Sequence, residues 1–303
     1  MKPRIRDYGA SVRARLLAVA RRENVQNEYI LLRYAFERFL FRLGKSAYAD
    51  KFILKGASAF AVWIGPMVRV TRDADFEAFG DASPETLIAA FREICEMEYP
   101  EDGVVFDTAG MTAEEIKKED KYPGVRMRFT ARVGGARVEM QIDVGFGDSV
   151  YPMAEKEEYP VLLGGACPEI RVYPVHTAVA EKFHTMVTRG VLNSRLKDYY
   201  DIRLLSDTFE FDAALLRTAV RRTFDRRGTD VPSGLPEGLS ENFSRDANKQ
   251  IQWMAFLRKI GAVNCDLTQA VEDIREFILP ILTDNGSSVT AKWSPLSRKW
   301  KDF

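Results

Sequence analysis

The sequence predicts an α+β fold: a strand-bearing nucleus over about residues 45–175, with helices before and after it. Three observations predict it. Two runs of alternating apolar and polar residues, Val125 to Val133 and Ala136 to Val144, are joined by Gly134-Gly135, a strong hairpin signal. Ahead of the nucleus, Ile30, Leu31, Tyr34, Ala35, Arg38 and Phe39 follow a helical stripe. Past Leu205 the pattern is helical throughout.

Taken in order, residues 9–23 and 27–43 read as two helices, with Gly44 as the natural stop of the second. Arg33, Glu37 and Arg42 fall largely off its apolar stripe, and its aromatic residues read as core. Phe52-Ile53-Leu54 reads as a short buried strand, followed by a tight turn of small residues, Gly56-Ala57-Ser58, where backbone can approach a ligand closely. Ser58 to Ile64 reads as a short helix, Gly65-Pro66 as a break, and Val68 to Phe76 as a second strand. Pro84 to Met97 reads as a helix with Pro84 in its first turn. Residues 111–121 are charged, and Tyr122-Pro123-Gly124 marks a turn.

In the second run of the hairpin, Val138, Met140, Ile142 and Val144 share one face. Arg137, Glu139, Gln141 and Asp143 share the other, which places Asp143 on the sheet surface at the far end of the strand. Residues 148–170 read as irregular. A helix over 175–189 carries Val179, Phe183, Met186 and Val187 as its stripe, with Lys182 beside it and Gly190 closing it. Further helices are expected at Ser194 to Leu205, Phe211 to Phe224, Leu239 to Ile260 and Leu267 to Leu282, with a Pro/Gly-rich linker from Arg226 to Glu237.

Composition excludes several classes. The 44 basic and 44 acidic residues leave no net charge, so nucleic-acid binding would need a local basic patch. The three cysteines, Cys95, Cys167 and Cys265, form neither a metal-ligand spacing nor a disulfide framework, and are expected to be reduced thiols of a cytoplasmic protein. No apolar signal region opens the chain and no run approaches about 18 apolar residues, so no membrane span is expected. His176 and His184 have no metal-binding spacing and read as structural.

What remains is a constellation of polar groups. Asp73 and Asp75 are two apart, so on a strand both carboxylates point to one face. Alone, such a pair is common in solvated turns. Here it follows a small-residue turn with Ser58, and later come Asp143 on a strand, Lys182 on a helix, and Asp198 and Asp201 on another. Phosphoryl-type transfer needs this inventory: carboxylates for a divalent metal, a lysine for phosphate charge, and a further carboxylate to accept a proton or orient the nucleophile.

The sequence resembles the AbiEii/AbiGii nucleotidyltransferase-like toxins of type IV toxin–antitoxin and phage-defence (abortive infection) systems. The resemblance is carried by Leu54-Lys55-Gly56-Ala57-Ser58, Asp73-Ala74-Asp75, Ile142-Asp143-Val144 and Ala180-Glu181-Lys182. Its most specific piece is Arg189-Gly190 followed by Arg195-Leu196-Lys197-Asp198-Tyr199-Tyr200-Asp201-Ile202, continuing into Val220 to Thr229 and Trp253 with Phe256-Leu257. It spans about residues 25–282. It implies a DNA polymerase β-type nucleotidyltransferase core of mixed sheet and flanking helices over 1–205, and a C-terminal helical domain over 206–303. It also implies Mg2+, an NTP substrate, transfer of NMP to an RNA acceptor (the 3′ end of tRNA in some relatives), and a cognate antitoxin partner.

Carried over by position, the resemblance implies that Gly56 and Ser58 cradle the triphosphate, that Asp73 and Asp75 bind metal with Asp143 as a third acidic residue, that Lys182 holds phosphate, and that Asp198 is the catalytic carboxylate of the fourth motif. Two departures bear on nucleotide fit: Ala57 stands where many relatives have a second glycine, and Ala74 where a larger aliphatic residue is usual. Other readings stay open. Transfer onto a protein target and a non-catalytic NTP- or partner-binding module both use the same motifs. Ser58 also suits an N-cap, and Asp201 also suits pairing with Arg195 or Lys197. Arg217, Arg221, Arg222, Arg226 and Arg227, with Lys249, Arg258 and Lys259, read as an RNA-backbone patch or a solvated face. Trp293 and Trp300 read as a docking tail or a disordered end.

Overall fold

The Gly134-Gly135 pair builds the central hairpin. Both glycines have positive φ (52° and 83°), the requirement of a two-residue turn whose twist matches its strands. In the computed structural model, which describes residues 7–65, 73–117, 123–262, 265–282 and 290–301, this turn joins two strands of a seven-stranded mixed sheet. The chain divides into two units, Met1–Gly147 with Glu155–Tyr173, and Asp148–Ala154 with Pro174–Phe303.

The first unit runs α1 (Tyr8–Arg22), α2 (Asn27–Lys45), β1 (Phe52–Lys55), α3 (Gly56–Trp63), β2 (Asp73–Ala78), α4 (Pro84–Cys95), β3 (Val104–Lys117), β4 (Pro123–Val133), β5 (Ala136–Phe146), β6 (Glu155–Glu158) and β7 (Glu169–Val172). The sheet order is β3-β4-β5-β2-β1-β7-β6. The pairs β2–β5 and β1–β7 are parallel and the others antiparallel. Of the expected strand from Val68, residues 68–72 lie outside the described residues.

One sheet face is apolar. Phe52 and Leu54, Ala74 and Phe76, Val125, Met127 and Phe129, and Met140, Ile142 and Val144 pack with α2 and α4 into one core. Phe39 of α2 sits among Phe76, Phe91, Phe106 and Phe129, with ring centroids 5.2–6.5 Å away. Each such buried ring contributes roughly 2–3 kcal/mol through area removed from water.

Arg38 on the apolar stripe of α2, and Arg33, Glu37 and Arg42 off it, are all buried, and Arg42 pairs with Asp102 (Nη1–Oδ2 2.6 Å) while donating to the Met97 carbonyl. Buried charges require such partners. Some expectations need correction in this unit. Gly44 does not stop α2, which runs on to Lys45; a Cβ there would collide with the Glu169 carbonyl of β7, so this glycine serves close packing. Residues 104–117 form a long strand that alternation did not reveal, because its register shifts between Asp107 and Thr112 and parity flips midway. Of the charged stretch 111–121, residues 118–121 lie outside the described ones. Asp143 is 8% exposed, within β5 instead of on its surface.

The second unit runs α5 (Val175–Arg189), α6 (Leu196–Thr208), β8 (Phe211–Asp212), α7 (Ala213–Arg227), α8 (Glu241–Ser244), α9 (Ala247–Ile260), α10 (Leu267–Leu282), β9 (Lys292–Ser294) and β10 (Lys299–Lys301). The single helix expected over 239–260 is two, because Asp246 caps α9 by accepting from the Lys249 N–H and Ser240 caps α8. The region past Leu205 is not all helical either: β10-β9-β8 form a small sheet. Its tryptophans are neither a tail nor disordered. Trp293 is buried and donates to the Ser206 carbonyl, and Trp300 stacks on Phe277 and donates to its carbonyl. No helix among the described residues is long and apolar enough to cross a membrane.

Candidate active site

The candidate residues of the first unit lie on the polar face of the sheet. β1 ends at Lys55, and Gly56 begins α3 with φ +66°, a conformation that favours glycine. The Asp75 carboxylate packs on Gly56 where a side chain would begin; a Cβ there would meet an Asp75 carboxylate oxygen and lie 2.9 Å from its Cγ. The glycine is needed twice, for φ and for room. Ser58 is the third residue of α3, whose N-cap position is Lys55, so Ser58 is not an N-cap. It lies buried in the first turn, where helical N–H groups lack intrahelical partners and favour anions.

Asp73, Asp75 and Glu77 alternate along β2 toward one face, exposed, half-buried and buried in turn. The register sets their neighbours. Asp75 stands opposite Lys55 on one side and Asp143 on the other, and Asp73 stands opposite Gln141. Asp143 in turn stands opposite Arg126 of β4, whose Nε and Nη2 donate to its two carboxylate oxygens at 2.8 and 2.7 Å. That fork pushes the Arg126 pKa further up, against the opposing effect of burial. Lys55 Nζ donates to Glu77 Oε2 at 2.5 Å and lies 5.5 Å from the Tyr173 ring centroid.

Glu77 and Arg126 were not singled out from sequence. Both had a signal. Glu77 continues the Asp73-x-Asp75 parity by one step. The two-residue turn pairs Val133 with Ala136, and counting back pairs Arg126 with Asp143.

Among the described residues, no three acidic, histidine or cysteine side chains converge as a metal-ligand set. Two carboxylates on one strand face, with one packed on the small-residue turn, are still an appropriate donor set for Mg2+. That ion is commonly held by one or two carboxylates together with substrate phosphates and water.

In the second unit the candidate residues sit where α5 and α6 pack. Lys182 Nζ donates to Asp201 Oδ2 at 2.6 Å and to Asp198 Oδ1 at 3.3 Å, and Arg195 Nε donates to Asp198 Oδ2 at 2.8 Å. Both aspartates are fully buried, and the Lys182 side chain is 13% exposed. Burial would raise the Asp198 pKa, but the adjacent Lys182 and Arg195 charges more than offset it and hold the carboxyl below its ordinary value. The pairing is therefore Asp201 with Lys182, and Arg195 with Asp198.

The remaining candidates are dispersed. His184 has a structural role as expected: Nδ1 accepts from Arg227 at 3.2 Å, which leaves Nε2 to donate to Thr229 at 2.9 Å. His176 packs edge-on against Phe211. The basic cluster is partly tied down and partly exposed. Arg217 donates to the Ile281 carbonyl, Arg227 pairs with Asp148, and Lys249 donates to the Asn193 carbonyl, while Arg221, Arg222 and Arg226 are exposed. The three cysteines are free thiols, and burial pushes that of Cys95 up to about 12.

Known proteins give three comparisons. The family model described as nucleotidyl transferase AbiEii toxin, type IV TA system, matches residues 38–276. No curated protein matches the sequence. Among solved structures, JHP933 from Helicobacter pylori is 12% identical, with 82% of this chain and 89% of that one covered and a TM-score of 0.46. A second H. pylori protein, described as a candidate nucleotidyltransferase, is 13% identical, with 85% and 96% covered and a TM-score of 0.47. The family model spans most of the chain and takes in the candidate residues from Gly56 to Asp201: the chain belongs to the AbiEii family, the nucleotidyltransferase toxins of type IV toxin–antitoxin systems.

Proposed function

We propose that this nucleotidyltransferase is Mg2+-dependent and transfers NMP from an NTP to an RNA acceptor, with the 3′ end of tRNA the first candidate. It acts as the toxin of a defence system in the cytoplasm, countered by a cognate antitoxin. The proposal includes a polymerase β-type core with a C-terminal lobe. In the reaction, an acceptor hydroxyl oxygen attacks the α-phosphorus, and the bond from that phosphorus to the departing pyrophosphate breaks.

The observation that carries this reading is the contact of the Asp75 carboxylate with Gly56. It joins the small-residue turn to the paired carboxylates in one place. Asp73 and Asp75 would hold Mg2+, with Asp143 as the neighbouring third acid. When bound, the ion would neutralise phosphate charge as it develops. Gly56 and Ser58 would receive phosphate oxygens at the start of α3, with backbone N–H groups as donors. By motif, Lys182 is assigned to nucleotide phosphate and Asp198 to the acceptor's proton.

Incubation with labelled NTPs and total tRNA tests the assignment. Labelled RNA is expected with the wild-type chain, and a fall of at least about a hundredfold with Asp75→Ala, the scale seen when a group that stabilises transition-state charge is removed. Unchanged labelling in that variant would remove Asp75 from the site. Label on protein instead of RNA would move the acceptor to a protein.

A further inference from the structure

We infer that the β4–β5 hairpin, at the end nearest its turn, holds the phosphate backbone of the RNA acceptor through Arg132 and Arg137. This rests on the reading of RNA as the acceptor, and assigns the place on the sheet for the part of that molecule remote from its reacting end.

The sheet face that carries Asp75 and Asp143 continues along β4 as Arg126, Arg128, Thr130 and Arg132, and back along β5 as Glu139 and Arg137. Near the carboxylates, cations and acids alternate across it. Arg126 forks onto Asp143, and Arg128 pairs with Glu114 of β3 at 2.7 Å. The last row is different. There Arg132 stands opposite Arg137 on one side and Val105 on the other, and all three are exposed. Like charges directly opposite each other on a sheet repel. Arg132 forms no ion pair among the described residues.

Two acids come within one row of this pair. Asp107 and Glu139 stand opposite Thr130 from either side. The Asp107 carboxylate is turned to its own strand, accepting from the Ala109 and Gly110 N–H groups at 3.2 and 3.4 Å. Glu139 accepts from Arg137 Nε at 2.6 Å, but the two side chains are 67% and 69% exposed, and so open a pair contributes little. The end row is thus cationic and open, and it suits an anion that carries charges in series. Arg137 lies six residues before Asp143 on β5, roughly 20 Å along the strand. A triphosphate held at Gly56 and Asp75 is too short to span that length. A polynucleotide with its reacting end at the carboxylates is not, because it carries a phosphate at every nucleotide. Arg128, exposed on β4 between the two ends, lies along the same path.

Binding of total tRNA, labelled with a fluorophore at its 5′ end, to the full chain tests this when anisotropy is followed across a series of salt concentrations. Arg132→Gln and Arg137→Gln should each weaken binding roughly threefold to tenfold. Each should also flatten the slope of log affinity against log salt by about 0.7–0.9, the share of one phosphate contact. The double variant should lose about twice that slope. Glu139→Gln removes the acid that competes for Arg137 and should tighten binding. In transfer assays the arginine variants should raise the KM for RNA far more than they lower kcat, the mark of contacts remote from the chemistry. Because the two arginines repel in the free protein, Arg132→Gln should not lower the urea midpoint. A midpoint that falls along with affinity would make Arg132 a structural residue and overturn the inference. Unchanged affinity and salt slope in the double variant, while wild type still labels RNA, would overturn the role of the hairpin alone. If wild type labels protein and binds no RNA, the acceptor reading fails and the inference with it.

Discussion

On β2, Asp73 and Asp75 share a sheet face, the first exposed and the second half-buried. On α6, Asp198 and Asp201 are wholly enclosed, with Lys182 and Arg195 at 2.6–3.3 Å. The same residue type carries both motifs, but the elements beneath differ. A strand with period two spaces side chains in a row, and along β2 that row passes from exposed Asp73 to buried Glu77. A pair of packed helices converges its side chains and seals them. In the first unit the row reaches solvent at Asp73. In the second, both carboxylates are enclosed and are met by Lys182, 13% exposed, and by Arg195, 44% exposed.

The largest expected effect breaks that cluster. Asp201→Ala removes the shorter contact of Lys182 and keeps the longer one to Asp198. Removing one partner of a buried pair costs about 3–5 kcal/mol; the retained Asp198 contact places this variant near about 3 kcal/mol. Urea unfolding should show the midpoint fall accordingly. Asp73→Ala, on the open face, should change stability by less than about 0.5 kcal/mol while reducing nucleotide transfer. Equal destabilisation by the two variants would erase the contrast between the units.

Gly56→Ala sharpens the comparison from the other side. A left-handed φ costs a non-glycine residue about 1–2 kcal/mol, and the new methyl group would press on the Asp75 carboxylate. The expected result is a modest drop in midpoint with a disproportionate loss of nucleotide transfer, because the carboxylate must move. A loss of stability with transfer intact would show that the contact between turn and carboxylate is only packing.

Local periodicity made much of this fold readable. The hairpin of β4 and β5, and helices α4, α5 and α10, lie where spacing placed them, and the shared face of Asp73 and Asp75 follows from strand geometry alone. What was not readable depended on partners distant in sequence. The burial of Arg42 on α2 depends on Asp102, a partner that no local pattern names. Strand β3 conceals its parity behind a register shift. Asp143 looks exposed because its parity is opposite to the core residues, and only its neighbour on β4 explains its burial. The choice of Lys182 for Asp201, and of Arg195 for Asp198, likewise required two packed helices. The break between α8 and α9 is different: its caps, Ser240 and Asp246, are local signals that the sequence reading passed over.

The smallest effect concerns a group in the second unit that takes no part in the charged cluster. His176 packs edge-on to Phe211, and its Nε2 is buried without a hydrogen-bond partner among the described residues. Burial lowers its pKa from 6.5 to about 4, with Asp212 pulling weakly the other way. The folded value lies below the unfolded one, so the unfolded chain binds the extra proton between them. Stability from this group is fully present above the ordinary histidine value and declines as pH falls toward about 4. Between about pH 7.5 and about pH 5.5 the loss amounts to roughly 1 kcal/mol. His176→Phe should flatten the urea midpoint over that range without altering its value at the upper end by a comparable amount. Asp198, whose pKa is already held below the ordinary carboxylate value, contributes its own decline only at lower pH. A His176→Phe profile as steep as wild type would assign the decline in this window to another group.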